Sequence, residues 1–186
     1  EAITHASHPN NHSGLSYERL EFLGDAVLDL IVTPKLYSHE RNLRHWDLHR
    51  THEALVNGNF LGFRCMTLSG EQETFDIVDT SSADGEPQKE PKPRRRTYHL
   101  HDFIRASPQL VKAKTSSLAR FSALRDPIAT ALESSSSLYP WPDLTALHPE
   151  KFFSDIVEAL LGALFLDSRG DIDVCEGFLE KLGVLP

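Results

Sequence analysis

The sequence predicts an all-α domain, and three observations carry that expectation. Two segments, YERLEFLGDAVLDLIVT at 17–33 and HPEKFFSDIVEALLGALFLDS at 148–168, are apolar on most faces at helical spacing, which implies burial. Stretches with helical periodicity lie between and after them. No strand-like alternation is long enough to insist on a sheet. The 186 residues, 40% hydrophobic and 25% charged, suit one globular domain carrying an insertion.

Residues 1–16 read as a partly helical lead-in with loop signals at Pro9-Asn10-Asn11 and Ser13-Gly14. The first apolar helix is expected from Tyr17 to Thr33, with Pro34 at its end. Residues 35–46 are polar and read as a short helix and loop. A second helix is expected from Leu48 to Met66, stopped by Ser69-Gly70. Residues 70–97 are polar, first acidic and then basic, with three prolines, and read as the flexible part of an insertion spanning 70–148. Helical periodicity returns at His101–Lys114 and Ser116–Leu132, and Ser134–Ser137 with Pro140-Trp141-Pro142 form a connector. The other apolar helix follows from Pro149 to Leu166. Ser168-Arg169-Gly170-Asp171 makes a turn, and a last helix covers Ile172–Leu182.

A net charge of −8 argues at first against a nucleic-acid partner, because phosphate binding wants Lys and Arg. The charge is segregated, however: residues 65–86 carry −6 and residues 87–125 carry +8. Two readings of the basic stretch stay open, an RNA-backbone contact and a solvated loop. Acids at 71–86 can neutralise Lys92 and Arg94–Arg96 in the second reading. Two cysteines, Cys65 and Cys175, form no disulfide framework, so a reducing intracellular setting, cytoplasmic or nuclear, is expected. Carboxylates interrupt the apolar runs, so none reads as membrane-spanning. The chain opens at Glu1, without an initiator Met, and is expected to be a piece of a longer protein.

The acids inside the apolar segments need explaining. Glu18, Glu21 and Asp25 share one helix face, and Asp29 continues the row. Asp155 and Glu158 repeat the arrangement at i and i+3 on the other apolar helix. Burying ionised carboxylates is costly unless a cation or donor compensates. A hard-metal site fits, since Mg²⁺ takes oxygen ligands from a few converging carboxylates. The bland alternative is two solvated acidic faces. Gly24 and Gly162 each sit inside a helix at a cost of about 1 kcal/mol relative to Ala. Close approach of the two helices explains both, and brings the carboxylates together. Ten histidines are scattered without zinc-ligand spacing.

Glu18-Arg19-Leu20-Glu21-Phe22-Leu23-Gly24-Asp25-Ala26 resembles the ribonuclease III signature at every position. Ala2-Ile3-Thr4-His5-Ala6-Ser7 resembles that domain's entry segment, Ala54-Leu55-Val56-Asn57 its third-helix motif, and Ser154–Ala163 its second catalytic motif. Within the family the chain looks most like the second ribonuclease III domain (RNase IIIb) of a fungal Dicer-like protein. The long insertion, Tyr139-Pro140-Trp141-Pro142 and the closing Leu182–Pro186 suggest it.

The resemblance implies the ribonuclease III endonuclease fold and a divalent-metal-dependent endoribonuclease acting on double-stranded RNA. The implied products carry 5′-phosphate and 3′-hydroxyl ends with two-nucleotide 3′ overhangs. It implies Mg²⁺, with Mn²⁺ able to substitute, on Glu21, Asp25, Asp155 and Glu158. Lys151 matches a lysine near the scissile phosphate, and Phe22 an aromatic residue that packs across a dimer interface. The implied partner is a second ribonuclease III domain, within the same chain in a Dicer-like protein or as a homodimer of the isolated domain. His52 stands where many members carry Arg, and His45 where bacterial members carry a substrate-contacting Glu. The rival from another class is a non-catalytic ribonuclease III-like RNA-binding or scaffold domain. Such domains lose carboxylates, and all four are present here.

Overall fold

The computed structural model describes residues 1–11, 16–39, 43–81, 87–134 and 138–185. The all-α expectation holds for the body of the domain. Its helices among the described residues are α1 (Glu18–His39), α2 (His45–Val56), α3 (Gly58–Thr67), α4 (Pro108–Glu133), α5 (Trp141–Leu147), α6 (Phe152–Asp167) and α7 (Ile172–Leu182). The two apolar helices α1 and α6 cross at the centre. Leu28, Ile31, Phe153, Ile156 and Leu161 are shut off from solvent there, with Phe63 of α3 and Leu179 of α7. Both interior glycines serve the crossing. A Cβ on Gly24 would lie 1.7 Å from the carbonyl oxygen of Glu158, and one on Gly162 2.2 Å from that of Leu20.

Several boundaries differ from the sequence expectation, each for a local physical reason. Helix α1 runs through Pro34 because tertiary contacts hold its last turn: Lys35 pairs with Glu176 of α7 at 2.8 Å and Leu36 packs on the core. The single helix expected at 48–66 is two. Asn57 leaves helical geometry, and its side chain caps α3 by accepting from the Asn59 and Phe60 amides at 2.9 and 3.4 Å. The two helices expected at 101–132 are a 3₁₀ turn (Leu100–Phe103) and the continuous α4, which is capped by Ser107 and carries Pro127 inside it. The connector expected to run through Pro142 stops at Pro140, which caps α5, and Pro142 sits in the helix's first turn, where proline is tolerated. Of the lead-in, residues 1–11 and 16 contain no helix. Thr4 instead bridges Arg105, and its carbonyl accepts from the Tyr17 amide, tying the chain to the start of α1. The signals at Ser13-Gly14 and 135–137, and part of the 35–46 loop, lie outside the described residues.

The largest correction concerns 70–97, read as flexible and without a sheet. Strands β1 (Ser69–Ser81) and β2 (Pro87–His99) form a two-stranded antiparallel ribbon; 82–86 lie outside the described residues. The acidic-then-basic order that suggested disorder is cross-strand complementarity. Arg94 meets Asp76 at 3.1 Å and Arg95 meets Glu73 at 3.6 Å. A two-stranded ribbon has only edges, so Pro91 and Pro93 are tolerated on β2. The helical remainder of the expected insertion joins the core through Phe121, Ile128, Leu144 and Leu147. No helix among the described residues is long and apolar enough to cross a membrane.

Candidate metal centre and active site

Helices α1 and α6 bring Glu21, Asp155 and Glu158 together, with one ligand oxygen from each within 4.8 Å of the others. The helix crossing explains this. Gly24 sits three residues past Glu21 and rests on the backbone of Glu158, so the acidic stripe of α1 faces the first turns of α6. Asp155 is only 5% exposed, and Glu158 is partly buried. Burial pushes the Glu158 carboxyl up to about 8, and the charges of Asp25, Asp155 and Glu21 push the same way. Asp25 is exposed and lies outside the group of three, although its charge reaches Glu158. Asp29, which continues the stripe, turns instead to His52 of α2 at 3.1 Å. Glu18 accepts from the Ser16 hydroxyl at 3.0 Å, a contact at the start of α1.

Lys151 joins the cluster directly. Its ammonium donates to Glu21 Oε1 at 2.8 Å and to Asp155 Oδ1 on its own helix side. Burial alone would lower the basicity of this amine. The bonds to the two carboxylates outweigh that and hold it above its ordinary value. Lys151 is therefore firmly cationic, and bridges the two helices that carry the acids.

Sequence reasoning missed Tyr17. This residue is buried, and its hydroxyl donates to Asp155 Oδ2 at 3.2 Å. Burial and the neighbouring carboxylates raise its pKa, so it stays a proton donor to Asp155. The available signal was a tyrosine directly before a buried helix, since a buried Tyr hydroxyl needs a partner. Ser154 lies 3.4 Å from the other Asp155 oxygen, while its hydroxyl donates to the Lys151 carbonyl at 2.7 Å. The loop leading into α6 is clamped from α4. Arg120 donates to the carbonyls of Leu147 and His148 at 2.8 and 2.9 Å, and Ser117 accepts from the Glu150 amide at 3.3 Å. The region first read as insertion thus positions the start of α6.

Phe22 projects away from this cluster, with 82% of its surface exposed. Beside it lies a surface groove of about 620 Å³ lined by Leu20, Leu23 and Leu166 among others. His45 stacks on His49 at 6.5 Å and takes no part in the acidic site. The cluster fits a divalent cation. Three oxygens converge, burial and the neighbouring carboxylates both raise the Glu158 carboxyl, and a bound cation would relieve that repulsion.

Residues 18–169 match the family described as Ribonuclease III domain. The chain is also similar to Dicer-like protein 2 of several fungi. That of Aspergillus terreus is 43% identical over the whole of this chain, that of Aspergillus oryzae 40%, and that of Cryphonectria parasitica 36%. The chain spans 13–14% of the length of these relatives.

Proposed function

Because the chain belongs to the ribonuclease III domain family, we propose that it is an endoribonuclease that hydrolyses phosphodiesters of double-stranded RNA. The observation that carries the proposal is the convergence of Glu21, Asp155 and Glu158 from two helices on one point. Similarity along the whole chain to Dicer-like protein 2 supports a place as one ribonuclease III domain of a longer Dicer-like protein, and the resemblance of its insertion and closing residues to a second such domain makes it the second in this reading.

In this reading Glu21, Asp155 and Glu158, with Asp25 as the fourth carboxylate, hold Mg²⁺ or Mn²⁺. When bound, the cation supplies charge stabilisation and water activation for in-line displacement at phosphorus. The protein supplies the rest. Tyr17 keeps Asp155 oriented, Lys151 offers a fixed cation for developing phosphate charge, and Arg120 and Ser117 hold the loop that presents Lys151. The products would carry 5′-phosphate and 3′-hydroxyl ends. A staggered cut with two-nucleotide 3′ overhangs requires a second ribonuclease III domain, and the exposed Phe22 is its docking point.

Incubation with labelled duplex RNA and Mg²⁺ tests the proposal. Wild type should cleave and Glu158→Gln should bind without cleaving. Duplex binding with no cleavage by a dimeric wild-type domain would overturn it in favour of a non-catalytic RNA-binding domain.

A further inference from the structure

The ribbon β1–β2 sorts its charges by face. Residues directly opposite in an antiparallel pair share a face, and successive residues alternate. The observed register pairs Glu71 with Thr97, Glu73 with Arg95, Phe75 with Pro93, Ile77 with Pro91 and Asp79 with Lys89, so one face has an apolar centre and no excess of cations. The other face pairs Gln72 with Arg96, Thr74 with Arg94 and Asp76 with Lys92. The same face carries Glu90 opposite Val78, so three cations line up at every second position against two acids, Asp76 and Glu90.

Asp76 is engaged by Arg94 at 3.1 Å. Among the residues whose side chains are described, Lys92 and Arg96 form no ion pair, and both are exposed. Arg96 lies over the Tyr98 ring at 5.9 Å, and Tyr98 packs against Phe103 at 6.1 Å, which steadies the row at the base of the ribbon. Alternate strand positions repeat every ~6.6 Å, the scale of successive phosphates along a nucleic-acid strand. Thirteen residues per strand extend the ribbon by roughly 43 Å, long enough to run along a duplex.

We propose that the Lys92–Arg94–Arg96 face of the ribbon is a second binding site, which grips the sugar–phosphate backbone of the RNA duplex. The inference rests on the duplex-RNA substrate proposed above. A-form RNA is recognised mostly through phosphates and 2′-hydroxyls, which a row of cations suits without reading sequence. In an otherwise acidic chain this row gives the polyanion a place to bind apart from the carboxylate cluster.

The test is equilibrium binding of a duplex RNA at several salt concentrations, all on the Glu158→Gln background in metal-free buffer. Lys92→Gln/Arg94→Gln/Arg96→Gln should flatten the salt slope by two to three contacts, at about 0.9 per phosphate for a duplex. Glu73→Gln/Arg95→Gln, on the opposite face, should leave the slope unchanged. Asp76→Asn frees Arg94 and should tighten binding. An unchanged slope in the triple variant, with circular dichroism unaltered, would overturn the ribbon site and leave the catalytic proposal standing. An equal loss of affinity for single-stranded RNA would overturn its assignment to a duplex. Failure of the Glu158→Gln protein to bind duplex RNA both in this buffer and with Mg²⁺ present would remove both proposals.

Discussion

Gly24 on α1 and Gly162 on α6 face each other so closely that each backbone occupies the space of the other's missing side chain. The Gly162 amide nitrogen would lie 2.9 Å from a Cβ on Gly24, and the Gly24 nitrogen 3.0 Å from one on Gly162. The obstacles are backbone atoms, which no rotamer change can move aside. This contact sets the separation of the two helices, and so the spacing of Glu21 from Asp155 and Glu158.

Gly24→Ala should therefore cost at least the ~1–3 kcal/mol of an overpacked core, and it should weaken the melting response to Mg²⁺. Gly177 in α7 has open space where its Cβ would be, so Gly177→Ala should stabilise by ~0.5–1 kcal/mol. Thermal melts with and without Mg²⁺ check both. Equal effects of the two substitutions would sink the close-approach argument.

Tyr17→Phe keeps the buried ring and removes one donor to Asp155. Loss of a hydrogen bond to a buried carboxylate should cost about 1–3 kcal/mol. Duplex cleavage should fall while RNA binding on the ribbon is kept, because Asp155 loses its orienting partner. Stability and single-turnover cleavage rates measured together would show it. Wild-type rates in the variant would mean that Tyr17 only fills space.

The Glu158 carboxyl is held up to about 8 in the folded, metal-free domain, against an ordinary value of 4.5. The folded state thus keeps a proton that the unfolded chain releases. That stabilising contribution is fully present below about 4.5 and is lost as pH rises through about 8. In EDTA the melting temperature should fall across this window, and Glu158→Gln should flatten the fall. Mg²⁺ should restore stability most at the alkaline end, where the carboxylates repel one another most strongly. An identical pH slope in Glu158→Gln would refute this assignment.

Phe22 contributes little to the fold of a single domain at 82% exposure. Phe22→Asp should leave the monomer's melting temperature almost unchanged and abolish self-association in sedimentation. Cutting of both strands should fall with it. A dimer that survives the substitution would place the interface elsewhere.

Much of this architecture is legible in the residues themselves. The apolar faces of α1 and α6 dictate burial, and acids at spacings of three and four must share a face. A glycine inside each apolar helix signals a close neighbour. These follow from helical geometry and from the cost of exposing apolar surface, which act within one element. Three other features depended on tertiary structure. The Tyr17 hydroxyl found Asp155, distant in sequence, because Tyr17 directly precedes α1, which crosses α6 at Gly24 and Gly162. The stretch read as flexible became a ribbon because its acids and bases compensate across strands, a match visible only once register is known. Of the four acids expected to converge, Glu21, Asp155 and Glu158 meet within 4.8 Å while Asp25 faces solvent. Sequence periodicity names the face a carboxylate lies on. Only the packing of a second helix against that face decides which carboxylates meet.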